Sequence, residues 1–168
     1  MIKGGIYQYY VEGEDEKKLL EVLKRDLGCI ASGKVEKFNV IQNRFTVARV
    51  RPLKIGTTVV LIYDTDVDNT EIMKQNVEFL KKQSGIKAVL CIPQVKNLEE
   101  ELECACQIKS ALDVTGSPTL TDFKRDFISC NNLAARLKKC NFDVAKLWSR
   151  VPNNSFGEFG NDADKIKL

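Results

Sequence analysis

The run 57–63, Thr-Thr-Val-Val-Leu-Ile-Tyr, constrains the fold of this chain more than any other segment. Its side chains are almost all apolar or β-branched, without the alternation of a strand that has one solvated face. Strands buried on both faces are typical of parallel sheets, in which helices cover each side. Further strands are predicted at 6–11, 35–41 and 86–92. The sequence therefore predicts a mostly parallel sheet.

Segments with helical spacing of apolar residues separate these strands. This spacing predicts helices over 14–27, 71–82 and 98–106, and a short helix over 43–53. Alternating strands and helices indicate a three-layer α/β fold, because parallel neighbours need crossover connections. We expect residues 1–106 to form this core.

The remaining residues, 107–168, are expected to form a helical extension packed on the core. Short helices are predicted over 119–129, 132–139 and 143–148. After Pro152 the sequence is rich in Gly and Asn, so we expect a mobile tail.

The chain contains no histidine, and this absence removes several classes of chemistry. Ser-His-Asp and Cys-His mechanisms are excluded, as are metal sites ligated by histidine. The six cysteines lack C-x-x-C spacing, so we expect free thiols in a cytoplasmic protein. The net charge of +3 permits a nucleic-acid partner. No apolar run is long enough for a membrane span, so a membrane partner is not expected.

Acidic residues follow three of the predicted strands at the point where each strand ends. Glu12 and Glu16 follow the first strand, Asp64 and Asp66 follow the third, and the run 99–101 follows the last. Because the carboxyl ends of parallel strands lie at one edge of a sheet, these acids should converge. Their mutual repulsion is costly unless a cation neutralises it. Oxygen ligands without histidine suit Mg²⁺ or Mn²⁺.

Each acidic segment also has an ordinary structural explanation. Residues 14–16 would complement the dipole of a helix start. Residues 64–68 would form a polar loop, with Asp68 as a helix cap or as support for the site. Residues 99–101 would form a solvated helix face. The coincidence of all three segments with strand ends favours a functional site.

The motif V-E-G-x-x-E at 11–16, after an aromatic-rich strand, is followed by D-x-D-x-D at 64–68. This order resembles the TOPRIM domain, and more narrowly that of the overcoming-lysogenization-defect (OLD) nucleases, over residues 6–106. The resemblance implies a Rossmann-like core, two divalent metals, cleavage of DNA or RNA, and a role in phage defence. Because OLD nucleases carry an ATPase module, it also implies a separately encoded ATPase as a partner.

The resemblance also implies the residues of the site. The expected metal ligands are Glu12, Glu16, Asp64, Asp66 and Glu99, with Glu101 as an alternative to Glu99. Glu12, Asp64 and Asp66 are the expected catalytic residues, with Glu12 as a ligand or the general base. Two cations about 3.5–4 Å apart can activate water and stabilise a leaving oxygen without histidine.

Basic residues supply candidate contacts for the phosphates of a nucleic acid. They are Arg44, Arg49, Arg51 and Lys54, in a stretch without an acid, and Lys124 and Arg125 in a predicted helix. A solvated helix face would also explain each group.

Two other functions stay open from the sequence. A non-catalytic TOPRIM-like module would bind nucleic acid or a partner ATPase without cleaving. A haloacid-dehalogenase-type phosphatase also has an apolar strand that ends in D-x-D, and Asp64 would then be the nucleophile. That alternative leaves Glu12 and Glu16 without a role.

Overall fold

Four parallel strands form the sheet in the computed structural model, which describes residues 4–168. They are β1 (Ile6–Val11), β2 (Lys34–Lys37), β3 (Thr57–Asp64) and β4 (Ile86–Gln94). Their order across the sheet is β2-β1-β3-β4, and every neighbouring pair is parallel. The predicted α/β class, with a Rossmann-like three-layer arrangement, is confirmed.

Helices connect the strands and continue beyond the sheet. They are α1 (Glu14–Arg25), α2 (Val47–Val50), α3 (Glu71–Lys81), α4 (Leu98–Ala105), α5 (Leu112–Thr115), α6 (Leu120–Ser129) and α7 (Leu133–Lys139). Two 3₁₀ turns follow, Ser155–Phe159 and Ala163–Lys165. Within the part of the chain that the structure describes, every helix is too short or too polar to cross a membrane.

The helices that follow β1 and β3 lie on opposite faces of the sheet. Leu19 and Leu23 of α1 are buried on one face, whereas Met73 and Leu80 of α3 are buried on the other. The chain leaves β1 toward β2 and leaves β3 toward β4, so the two connections diverge. In open α/β sheets a crevice forms at this switch point, beyond the carboxyl ends of the strands, and ligands bind there.

Two predicted elements are shorter than expected. The strand predicted over 35–41 ends at Lys37, because Asn39 turns the chain. Its side-chain oxygen accepts hydrogen bonds from the backbone N–H groups two and three residues later, at 3.0 and 3.2 Å, which competes with strand pairing. The helix predicted over 43–53 is reduced to the four residues of α2, shortly before Pro52.

Two further boundaries differ from the prediction. Residues 143–148 form turns instead of a helix, because Trp148 has a φ of 52° and its N–H donates to Glu101 Oε2 at 3.0 Å. Conversely, β4 continues through Pro93 to Gln94. β4 lies at the edge of the sheet, where a proline removes no donor that the ladder needs.

The helical extension shares the hydrophobic core on the α1 face of the sheet. Phe123 of α6, Leu137 of α7 and Trp148 are buried in the same cluster as Leu19 of α1. Residues 107–168 therefore lie directly against the core.

The segment after Pro152 is packed, which corrects the expectation of a mobile tail. Phe156 and Ile166 are fully buried. The carboxylate of Asp162 accepts from the N–H of Cys91 at 2.9 Å, and the N–H of Asp162 donates to the Cys91 carbonyl at 2.8 Å. The tail thus covers the free edge of β4, which would otherwise leave backbone groups unpaired.

We predict that Phe156→Ala lowers the free energy of unfolding by about 3 kcal/mol or more, the usual cost of removing a buried aromatic ring. The Phe156 ring packs against Tyr63, with ring centroids 5.7 Å apart. Urea denaturation would measure the loss. The control Ile55→Ala, at a side chain 87% exposed, should change stability by less than about 0.5 kcal/mol. Equal stability of both variants would show that the tail is not part of the cooperative fold.

Candidate metal centre

Three carboxylates meet in the crevice between β1 and β3. Glu12 directly follows β1, Asp64 ends β3, and Glu16 lies in the first turn of α1. One oxygen of each side chain lies within 4.8 Å of the others. The structure thus brings together three of the predicted ligands, because β1 and β3 are neighbours in the sheet.

Gly13 provides the space for this arrangement. Its N–H donates to Glu16 Oε2 at 3.1 Å, and this bond fixes the Glu16 side chain beside the end of β1. A Cβ atom at position 13 would lie 2.9 Å from Asp15 Oδ1 and 3.1 Å from Glu16 Oε2. The φ of −140° is open to any residue, so a larger side chain at position 13 would act by displacing the carboxylates of Asp15 and Glu16.

The amide of Gln94 is oriented toward the carboxylates. The indole N–H of Trp148 donates to Gln94 Oε1 at 3.2 Å. Because an indole N–H can only donate, the amide oxygen must face Trp148 and the amide nitrogen must face the site. That nitrogen donates to Asp64 Oδ1 at 2.7 Å and to Glu16 Oε1 at 3.5 Å. Gln94 is fully buried and links two of the three carboxylates.

Burial and mutual repulsion raise the pKa of each of the three carboxyl groups. Burial, with a hydrogen bond that the protonated Glu16 carboxyl donates to Asp15, raises the pKa of Glu16 to about 9. Burial and the charge of Glu12 raise the pKa of Asp64 to about 8, although the hydrogen bond from Gln94 opposes the shift. Burial also raises the pKa of Glu12. Ionisation of all three groups near neutral pH would need a compensating positive charge.

Asp66 and Glu99 lie farther out in the same cavity, which has a volume of about 590 Å³. Asp66 is exposed, and Glu99 pairs with Lys124 at 3.8 Å. All five predicted ligands therefore line one cavity, but only Glu12, Glu16 and Asp64 form its close group.

Glu101, the alternative ligand from α4, has a different role. Its side chain is fully buried. Oε1 accepts from the backbone N–H of Val95 at 2.8 Å and from Arg150 at 3.3 Å, and Oε2 accepts from the N–H of Trp148 at 3.0 Å. These bonds hold the chain after β4 against the extension, so the structure favours Glu99 over Glu101.

The tail also holds the loop that follows β3. Asp68 Oδ1 accepts from the backbone N–H of Ser155 at 3.0 Å, and Thr70 is the N-cap of α3, so of the two expected roles Asp68 supports the loop and does not cap the helix. The side chain of Asn154 donates to the carbonyl of Thr65 at 2.8 Å. The loop that carries Asp66 is therefore anchored on both sides of that residue.

The predicted nucleic-acid contacts lie at different distances from the carboxylates. Lys124 lines the carboxylate cavity, and Arg49 lines an adjoining cavity that also contains Glu12. Lys54 lies with Arg49 in another cavity. The remaining three, Arg44, Arg51 and Arg125, are exposed and line none of these cavities.

Sequence reasoning missed three polar residues of the site, Asp15, Asn39 and Gln94. Asp15 is nearly buried and lines the carboxylate cavity with Asn39. The position of Asp15 within the acidic run 14–16 could have indicated a role in the site, but such a run is also typical of an ordinary helix start. The sequence did not indicate a role for Gln94, because the last strand was predicted to end at residue 92, before Pro93.

Comparison of the chain with family models, curated proteins and solved structures gives no match. The functional interpretation therefore depends on the carboxylate geometry and on the two sequence motifs that supply it.

We predict that without divalent metal the free energy of unfolding falls as pH rises from about 5 to 8. The folded chain keeps protons on Glu16 and Asp64 that the unfolded chain releases near pH 4, so raising the pH favours unfolding. In Glu16→Gln, the fall in the free energy of unfolding between about pH 5 and pH 8 should be smaller by more than about 1 kcal/mol. One pKa unit corresponds to about 1.4 kcal/mol.

Urea denaturation in a chelator at several pH values would measure the effect. The control Glu78→Gln, at an exposed position of α3, should leave the pH dependence unchanged. A pH dependence shared by Glu16→Gln and the wild type would contradict the assigned cause.

Proposed function

We propose that the protein is a divalent-metal-dependent nuclease with a TOPRIM-like core. The observation that carries this proposal is the group of Glu12, Glu16 and Asp64, whose oxygens lie within 4.8 Å of one another at the switch point of the sheet. The motifs that resemble TOPRIM domains supply all three residues, which supports the same function.

The donor set suits Mg²⁺ or Mn²⁺. Oxygens on opposite sides of one Mg²⁺ ion are about 4 Å apart, because each bond is about 2.1 Å long. Adjacent oxygens on the same ion are about 3 Å apart, so small side-chain movements would bring the three oxygens, now within 4.8 Å of one another, onto one cation. Glu12, Glu16 and Asp64 would hold one cation, and Asp66 and Glu99 would help to hold a second. Hard oxygen donors favour these ions over softer metals.

Cations at this site would lower the pKa of a water molecule and stabilise the leaving oxygen of a phosphodiester. Glu12, which lies beside Asp64, would bind a cation through one oxygen and accept a proton from the attacking water through the other. Gln94 would keep Asp64 in a fixed orientation. The phosphatase alternative is less favoured, because it leaves without a role Glu12 and Glu16, whose carboxylate oxygens lie within 4.8 Å of that of Asp64.

The proposed substrate is DNA or RNA. Lys124 and Arg49 border the carboxylates and would neutralise phosphates next to the cleaved bond. A separately encoded ATPase is the proposed partner, and phage defence the proposed role, on the strength of the motif resemblance. All six cysteines are free, which supports the proposed cytoplasmic location.

We predict that Mn²⁺ binds the wild-type chain and that Asp64→Asn weakens its affinity by at least about tenfold, because the variant lacks one anionic ligand. Titration calorimetry would measure both affinities. The matched control Asp113→Asn, at an exposed position of α5, should bind as the wild type does. Equal affinity for Asp64→Asn and the wild type would reject the site.

We predict that Asp66→Ala and Glu12→Gln each abolish metal-dependent nicking of a nucleic acid, since both remove site carboxylates. A plasmid and RNA panel with Mn²⁺, with and without a neighbouring ATPase, would measure the activity. The control Cys104→Ser, at an exposed thiol, should remain active. Nicking that survives in Asp66→Ala would indicate another site. Tight binding without nicking under any condition would favour the non-catalytic module.

The neighbours Lys124 and Arg125 provide a matched pair on α6. Lys124 borders the carboxylates and pairs with Glu99 at 3.8 Å, whereas Arg125 pairs with Asp122 and Asp126 of its own helix at 3.1 and 3.2 Å. We predict that Lys124→Ala raises KM for nicking several-fold, because it removes one phosphate contact. Arg125→Ala should leave KM unchanged. Steady-state kinetics at fixed salt would test this, and equal effects of both changes would contradict the assignment.

A further inference from the structure

A cavity of about 880 Å³ lies at the start of β1, away from the carboxylates. It lies between the edge strand β2 and the segment around α2. Gly5 and Ile6 line the end of the cavity that is farthest from the carboxylates. Its polar wall includes Gln8, which is 4% exposed. This volume falls within the range of about 300–1,000 Å³ that is typical of ligand sites.

The cavity continues toward the carboxylates along β2. Lys34 and Glu36 line it, and the next residue of the strand, Lys37, lines the adjoining cavity that contains Glu12. Arg49 borders both cavities. The path from residue 33 to residue 38 is about 16 Å long at about 3.3 Å per residue. It would accommodate about five stacked nucleotides at about 3.4 Å each.

The wall of this path is basic. Lys34, Arg49 and Lys54 line the first cavity, and Glu36, which pairs with Lys34 at 3.0 Å, is the one acidic side chain before Glu12 in the two cavities. Lys37 is neutralised by Glu14 of α1 at 2.8 Å. Lys54 is exposed and forms no ion pair with another described residue. A phosphate could therefore bind it without breaking an existing contact.

Two contacts fix the orientation of the Arg49 side chain at the junction of the two cavities, where a phosphate would bind. Its guanidinium lies over the ring of Phe38, 4.6 Å from the ring centroid, and it contacts Glu36 at 3.7 Å. Stacking on a ring keeps the planar guanidinium in a fixed orientation and leaves its edge for hydrogen bonds.

We propose that this groove binds a single-stranded segment of nucleic acid and leads it to the carboxylates. The inference rests on the proposed function and specifies its substrate. A basic groove that follows the backbone is typical of single-strand binding sites. A duplex is disfavoured, because it presents its phosphates on a convex cylinder that cannot enter a cleft between an edge strand and a helix.

The test measures binding separately from cleavage. Fluorescence anisotropy with a labelled 12-nucleotide single strand and the corresponding duplex, both in Ca²⁺ without Mg²⁺ or Mn²⁺, gives affinity at several salt concentrations. The variants are Lys54→Ala and Lys54→Ala with Arg49→Ala. The control is Lys109→Ala, at an exposed position beyond α4, beside residues that pack on the α1 face. Circular dichroism confirms that each variant is folded.

The single strand should bind the wild type at least tenfold more tightly than the duplex. Lys54→Ala should weaken single-strand binding several-fold and reduce the salt slope by about 0.7, the value for one phosphate contact on a single strand. The double variant should reduce the slope by about 1.4. Lys109→Ala should change neither quantity.

The proposed single-strand site would be rejected if the duplex binds as tightly as the single strand or more tightly, or if the single strand does not bind. It would also be rejected if a folded double variant keeps the salt dependence of the wild type. Failure of the nuclease function would look different. In that case the wild type would not cleave in Mn²⁺, while single-strand binding and its dependence on Lys54 would persist.

Discussion

Repulsion among Glu12, Glu16 and Asp64 is the constraint on which the rest of the site depends. Carboxylates this close are costly when ionised, because burial removes the water that would otherwise screen them. The surrounding groups reduce that cost. Gly13 contributes an N–H donor and no side chain, and Gln94 contributes an amide donor to two of the carboxylates. These donors lower the repulsion but do not neutralise it, so a divalent cation would stabilise the ionised group, as the proposed function requires.

The helical extension positions residues of this site. Trp148 fixes the amide of Gln94 through its indole, and its backbone N–H binds Glu101. Arg150 pairs with the same buried carboxylate. A charge buried in this way is tolerated because every partner is present, and removing one partner would leave it uncompensated. The residues after α7 therefore determine how the end of β4 faces the carboxylates, although they carry none of the proposed ligands.

The parts of the structure that depend on local patterns could be predicted from the sequence. The run 57–63 indicated a buried parallel strand, and acids at strand ends indicated Glu12, Glu16 and Asp64. The errors arose where a distant contact decides the conformation. The φ of Trp148 is stabilised by a bond to Glu101, 47 residues away. The tail is ordered by Phe156 and by the pairing of Asp162 with β4. Neither contact leaves a periodic signal in the sequence.

The charges around Glu12 change sign over a short distance, and this determines what can approach. On one side lie the carboxylates, which attract cations. On the other lies Arg49, which attracts anions, with Lys37 paired to Glu14 beside it. A polyanion drawn along the basic wall would be repelled by the bare carboxylates, so its last phosphate could reach them only after cations bind. For the proposed nuclease, metal loading would therefore be a condition for substrate entry, in addition to its proposed part in cleavage.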